Sequence, residues 1–225
     1  GPLSLLGATL PGTCIVVLLN SAFWFLGIHG GNIVNTPFQP IWLMNAQENL
    51  AATQAGEAAK HIVTSPFMDN FVYMGGGGAT LGLVIVVAVI ALRKNSSSMT
   101  KTMAPLTLTP GLFNINEPAM FGLPIVLNIQ LLIPFLLAPV VNVIVSYLAM
   151  ASGIVPLTTG VVVSWTMPPV LSGFLTTNSI MGSVLQIVCI ALDVLVYLPF
   201  YLSVEKKNLA DERGESVEEI LAEGK

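Results

Sequence analysis

Glu117 is the one formally charged side chain between Lys101 and Asp193, inside the run Gly111-Leu-Phe-Asn-Ile-Asn-Glu-Pro-Ala-Met-Phe-Gly-Leu-Pro124. A carboxylate in so apolar a stretch is costly to bury without hydrogen-bond partners, and packing rarely calls for one. Asn114 and Asn116 stand beside it, each able to donate and accept. Such a carboxylate reads as a hydrogen-bond acceptor, or as a general base, for a polar substrate. The competing reading is a structural carboxylate fixing a hairpin through backbone N–H groups. Pro118, Pro124, Gly111 and Gly122 are expected to forbid a regular helix through the run. The site then lies on irregular backbone at membrane depth.

Other candidates are fewer. His29 lies among glycines in Gly27-Ile-His-Gly30-Gly31. A lone histidine near a helix end is structural as a rule, although these glycines open space around it. His61 falls in a polar loop and reads as solvated. Asp193 lies inside the last apolar run with Tyr197 one turn on. It reads as a structural carboxylate paired with a neighbouring helix, the alternative being a proton relay. Trp24 and Trp42 read as interface anchors, whereas Trp165, which leads into a proline-broken segment, is kept as a sugar-stacking platform. Cys14 and Cys189 sit in apolar runs as small hydrophobes. No Walker loop, dinucleotide fingerprint, zinc spacing or nucleophile elbow occurs, so no metal or cofactor is expected. A phosphoryl or redox group would have to come from elsewhere.

The elements that position these residues follow from composition. Apolar residues make up 54% of the chain and charged residues 9%, against roughly 25% charged in soluble domains; mean hydropathy is +0.81. Continuous apolar runs of helical length exclude an outer-membrane barrel, so the chain is an all-α membrane protein. Its net charge of −4 arises mostly near the C-terminus, where residues 205–225 carry seven acidic and four basic side chains and form a polar tail. Basic residues occur singly or in pairs, which argues against nucleic-acid binding. No charged n-region precedes the first apolar run, so that run does not read as a signal peptide. Residue 1 is not Met, and the N-terminus is expected to be incomplete.

Leu10–Ile28 predicts a first span, and Gly75–Leu92, opening on four glycines, a second. Between them, the stretch Ala46–Lys60 with Glu48, Glu57 and Lys60 predicts an interfacial helix. Arg93, Lys94 and Lys101 on one loop and Lys206-Lys207 near the end place both on the cytoplasmic side. Crossings between two cytoplasmic points are even in number. Leu123–Met150 and Ile180–Leu202 supply two. The proline-punctuated segments Met103–Gly122 and Ile154–Asn178 then read as re-entrant hairpins, since unwound backbone at that depth must be buried in protein or line a cavity.

Asn114-Ile-Asn-Glu-Pro118 followed by Phe121-Gly-Leu-Pro124 resembles the hallmark segment of the membrane component (enzyme II, C) of sugar phosphotransferase systems, in the lactose/cellobiose/diacetylchitobiose branch. Phe23-Trp-Phe-Leu-Gly-Ile-His-Gly30, Trp165-Thr-Met-Pro-Pro-Val-Leu-Ser-Gly173 and Leu185–Phe200 agree with that branch. Family members are about twice as long, so residues 1–204 look like the C-terminal substrate-binding and translocation half. The resemblance implies a homodimer in the bacterial plasma membrane with the C-terminus inside, and a β-linked disaccharide held near mid-membrane between two hairpins. It also implies that Glu117 and His29 contact the sugar; Asn114, Asn116 and Trp165, singled out above from the residues themselves, are expected to bind it too. Glu117 would lie by the 6-hydroxyl that takes a phosphoryl group from a phosphocysteine on the B-component. Two other classes compete: an ion-coupled secondary transporter with Glu117 and Asp193 as proton carriers, and a non-transporting membrane scaffold.

Overall fold

A computed structural model describes residues 2–123 and 125–214; Pro124 and the last eleven residues of the polar tail, 215–225, lie outside the described residues. Every element among the described residues is helical. Helices α1 (Pro2–Ala8), α2 (Leu10–Phe25) and α3 (Gln39–Gln54) come first. A short helix, α4 (Ser65–Phe67), continues into a π-helical turn, Met68–Val72. Beyond it lie α5 (Leu81–Ala91), α6 (Ser98–Leu112), α7 (Glu117–Gly122), α8 (Ile129–Ala151), α9 (Leu171–Thr177) and α10 (Ile180–Arg213).

Among the described residues two helices, α8 and α10, are long and apolar enough to cross a membrane. A third crossing is available if the segments Ser65–Ala79 and Leu81–Ala91, bent by 59° against each other, count as one broken span. α10 packs on α8 and α5, and α8 on α2. Outward-facing Ile133, Leu137, Ile144 and Leu148 of α8, with Ile187 and Leu195 of α10, present apolar side chains that suit lipid. The cores lie between the helices: Leu83, Val87, Phe135 and Tyr197 in one cluster, and Val17, Phe67, Phe71 and Val143 in another.

Four sequence expectations change here. The predicted first span stops at Phe25, because Gly27 takes a left-handed φ of 78°. Sixteen residues rise only about 24 Å, short of a bilayer core. The four glycines do not open the second span; they make a sharp turn before it, with positive φ at Gly75, Gly76 and Gly78. Trp42 is no interface anchor: it is 3% exposed and donates to the Gly7 carbonyl at 2.7 Å. The helix predicted over Ala46–Lys60 instead runs Gln39–Gln54, with Pro40 in its first turn, where a missing N–H costs nothing, and with Glu57 and Lys60 beyond its end.

The first re-entrant hairpin is better ordered than its prolines imply. Pro105, Pro110 and Gly111 all lie inside α6, and the break falls at residues 113–116 before α7 resumes with Pro118 in its first turn. Membrane helices tolerate internal proline when neighbours satisfy the freed carbonyls. The second hairpin is irregular from Gly153 to Val170 and returns through α9. Thr159 closes it, donating through its N–H (2.8 Å) and hydroxyl (3.1 Å) to the Thr176 carbonyl.

The cytoplasm-assigned polar segment begins inside α10, which runs unbroken to Arg213. Glu205, 5% exposed, accepts from the Ser97 N–H (2.6 Å), the Ser97 hydroxyl (2.8 Å) and the Thr100 hydroxyl at the start of α6. Glu212 takes the next two N–H groups, Ser98 (3.0 Å) and Met99 (3.3 Å). These bonds hold its carboxyl below the ordinary range, the Ser98 N–H contributing most. Two carboxylates thus cap the helix that carries the first hairpin.

Candidate functional site

The two hairpins, the glycine turn and the end of α2 surround a hollow of about 230 Å³. All five residues expected around a substrate line it: His29, Asn114, Asn116, Glu117 and Trp165. Asp193 does not, which separates it from Glu117 as a partner in any single proton-carrying site.

The turn at 113–116 aims Glu117 into this hollow. Asn114 adopts a left-handed φ of 62°, a conformation Asn tolerates better than most residues. Its side chain is wholly engaged on the backbone. Oδ1 accepts from the Gly75 N–H at 2.7 Å, while Nδ2 donates to the carbonyls of Trp165 (2.7 Å) and Met167 (3.1 Å). One amide therefore ties the first hairpin to the glycine turn and to the second hairpin. Asn116 adds a bond from Nδ2 to the Gly77 carbonyl at 3.1 Å. The glycines are needed for this approach. A Cβ on Gly76 would come within 2.7 Å of the Asn116 side chain, and one on Gly77 within 2.6 Å of the Trp24 indole nitrogen.

Apolar surroundings in sequence predict a desolvated Glu117; instead its side chain is exposed into the hollow. The physical reason is its place at the first position of α7, where the opposite face, Ala119 and Met120, turns into the core. No described residue donates a hydrogen bond to its carboxylate, so the reading as a hairpin brace finds no partner. Such a carboxylate, on a polar wall without protein donors, is free to accept from a ligand.

His29 reaches the hollow from the segment after α2. Its Nδ1 accepts from the Asn32 N–H at 3.3 Å, which assigns the proton to Nε2 and leaves a donor for a ligand. The ring lies 4.3 Å, centroid to centroid, from that of Trp24, tilted 48°. Trp24 is 6% exposed and lines the hollow, so it is not the interface anchor its type predicts. Trp165 is 56% exposed, with its backbone fixed by Asn114, and presents a flat apolar face to the same space. His61 sits elsewhere, half-buried rather than fully solvated, with Nε2 2.6 Å from Glu48 Oε2.

Asp193 is fully buried, and its Oδ2 accepts from Asn142 Nδ2 at 3.0 Å. Gly82 of α5 packs so closely there that a Cβ would meet the Asp193 side chain at 2.5 Å. Tyr197, one turn on, donates to the Gly78 carbonyl at 2.6 Å. The pair braces the spans and the glycine turn behind the site, in line with a structural carboxylate paired across helices. Cys189 is buried and Cys14 half-buried, both as free thiols.

Sequence reasoning missed Asn20, Asn35, Asp69 and Tyr73, which also line the hollow. One signal was available: Asp69 is the only acidic residue between Glu57 and Glu117. Asn35 and Asp69 lie on the two π-helical turns, Gly31–Asn35 and Met68–Val72; such turns frequently mark functional sites but leave no trace in hydrophobic periodicity. Gln186 was missed too. Its Oε1 accepts from the Val170 and Gly173 N–H groups (2.6 and 2.8 Å), and its Nε2 donates to the Asn70 carbonyl (2.7 Å), locking the second hairpin onto the wall that carries Asp69.

The described residues thus form a helical protein with membrane-length apolar helices and two hairpins that meet over a polar hollow. The family model described as "Phosphotransferase system, EIIC" matches residues 2–139, and the chain belongs to that family. It is 42% identical over 223 residues to the oligo-beta-mannoside-specific EIIC component of Bacillus subtilis (strain 168), covering 99% of this chain and 50% of that protein. It is 43% identical over 217 residues to the cellobiose-specific EIIC component of Geobacillus stearothermophilus, covering 95% and 47%. The crystal structure of the transporter ChbC, the IIC component of the N,N'-diacetylchitobiose-specific phosphotransferase system, superposes with a TM-score of 0.91 at 45% identity, over 96% of this chain and 49% of that one. The chain spans about half the length of the curated relatives it matches.

Proposed function

We propose that this chain forms the sugar-binding and translocating part of a phosphotransferase-system permease, with a β-linked disaccharide of the cellobiose, lactose or diacetylchitobiose class as its substrate. The observation that carries the reading is the partnerless carboxylate of Glu117 on the wall of a hollow that His29, Asn116 and Trp165 share. A neutral carbohydrate supplies what that wall lacks. Its hydroxyls donate to Glu117, its oxygens accept from His29 Nε2, and its apolar ring face stacks on Trp165. Asn114 holds the turn in register.

In this reading the 6-hydroxyl oxygen attacks the phosphorus of a phosphocysteine on the B-component. The phosphorus–sulfur bond breaks, the thiolate leaves, and Glu117 takes the hydroxyl proton. Sugar is released inside as the 6-phosphate. Residues 1–204 constitute the translocating part and 205–225 a cytoplasmic tail, so the C-terminus faces the B-component in a bacterial plasma membrane. Full-length homodimerisation belongs to the same proposal.

The test is to incubate the purified protein in proteoliposomes with disaccharide and phosphorylated B-component. Sugar 6-phosphate that accumulates inside, without any proton gradient, is the expected result. Unmodified sugar accumulating only under a proton gradient would replace this reading with ion-coupled transport.

A further inference from the structure

The second hairpin carries backbone strain outside the hollow. Val170, just before α9, sits at φ 77° and ψ −50°, a conformation that is costly for a β-branched residue. Pro168 and Pro169 precede it and offer no N–H, so the tip is pinned on either side of them. On one side, the carbonyls of Trp165 and Met167 accept from Asn114. On the other, α10 holds Val170 by both of its backbone polar groups. The Val170 N–H donates to Gln186 Oε1, and its carbonyl accepts from the Ser183 hydroxyl, each at 2.6 Å. Gln186 is fully buried and its amide is used to capacity. Oε1 also accepts from the Gly173 N–H at 2.8 Å, while Nε2 donates to the Asn70 carbonyl (2.7 Å) and the Ser172 hydroxyl (2.8 Å). Glycine is required at 173, because a Cβ there would meet Oε1 at 2.5 Å. The turn that carries Asn70 is itself fixed by Asn142, whose Nδ2 donates to the Val72 carbonyl at 3.3 Å.

We infer that Gln186 is a positioning residue for the sugar site, holding Val170 in its strained conformation and thereby setting where Trp165 stands against the hollow. The inference rests on the sugar reading of the site. Gln186 lies behind the hollow and not on its wall, so it acts through the hairpin and not by touching sugar. A strained residue keeps its conformation only where its surroundings over-determine it. Without the amide, the Val170 N–H loses its acceptor and the backbone relaxes toward negative φ. The tip then turns away from the position that presents the Trp165 face. A glycine at the same place adopts positive φ without that cost. The need for Gln186 is therefore coupled to the side chain of Val170, a residue that the sugar does not have to touch.

The experiment is a double-mutant cycle on the protein purified in detergent: wild type, Gln186→Met, Val170→Gly and the double variant. Calorimetry reads the affinity of each for whichever of cellobiose, lactose and diacetylchitobiose the wild type binds most tightly. Gln186→Met is expected to weaken binding about tenfold with Val170 in place, and only about twofold in the Val170→Gly background. Its melting temperature should fall in both backgrounds alike, since the Asn70 carbonyl and the Gly173 N–H lose their partners in each. A loss of stability alone therefore does not produce the difference in affinity. If Gln186→Met does not fold, Ser183→Ala takes its place in the cycle. It deletes only the hydroxyl on the Val170 carbonyl, with expected penalties of about threefold with Val170 and close to none without it. Equal penalties in the two backgrounds, or no penalty with Val170 present, overturn the inference. Failure of the wild type to bind any of the three sugars would instead overturn the sugar reading, a separate outcome.

Discussion

Glu117 and Asp193 are both lone acids in apolar sequence, yet they end in opposite situations. Asp193 is wholly buried, pairs with Asn142 and sits against Gly82, away from the hollow. Glu117 is exposed into the hollow, without a protein donor. Isolation in sequence therefore says that an acid matters; the partner it finds says why. Where a neighbouring helix offers an amide, the acid braces the fold. Where the backbone turns back, it is left without a donor among the described residues.

Breaking that contrast should give two different failures. Glu117→Gln keeps the shape of the side chain and removes the base, so phosphoryl transfer to the sugar should fall by at least about 100-fold. Its melting temperature should stay at the wild-type value, as followed by tryptophan fluorescence. Asp193→Ala should do the reverse. It leaves a gap between α5, α8 and α10 and takes an acceptor from Asn142, costing about 1–3 kcal/mol of stability, read as a lower melting temperature. Sugar affinity of the folded fraction should change little. Loss of sugar affinity in Asp193→Ala at unchanged stability would erase the distinction.

Smaller substitutions sharpen it. His29→Ala removes one donor to the ligand and the ring tilted against Trp24, so the dissociation constant for disaccharide should rise about five- to tenfold, measured by calorimetry. Unchanged affinity would move His29 to a structural role. The smallest effect belongs to Glu212, a fully exposed cap on α6. Its carboxyl titrates lower in the fold than in the unfolded chain. The stability it contributes is therefore present above the unfolded-state value and lost as pH falls through the folded-state value. Glu212→Gln should lower the melting temperature slightly at neutral pH and low salt, and the difference should vanish in acid or at high salt. A difference that grows in acid would contradict the capping role.

Helical class, the two long spans, the paired hairpins and the residues around Glu117 were legible because apolar run length, proline placement and an isolated charge are local signals. Helix ends were less so. The break at Gly27-Ile-His-Gly30-Gly31 shows in the sequence but the helix end at Phe25 does not, and the four glycines read as span when positive φ at Gly75, Gly76 and Gly78 makes them a turn. The tryptophans misled because amphipathic type alone suggests an interface, while Trp24 and Trp42 are placed by contacts with residues far along the chain. The wall carrying Asp69 was hidden for the same reason. A π-helical turn has no hydrophobic period, and its partners Gln186 and Asn142 are more than sixty residues away in sequence. Asn114 shows the limit most clearly: its spacing from Glu117 is plain, but its bonds to Gly75, Trp165 and Met167 come only from the folded chain.

The most direct measurement is calorimetric titration of cellobiose into wild type and Glu117→Gln, both purified in the same detergent. A carboxylate that accepts sugar hydroxyls should cost about 1.5–3 kcal/mol when neutralised, a rise in dissociation constant of about 10- to 100-fold. Equal affinities in the two proteins would contradict the account.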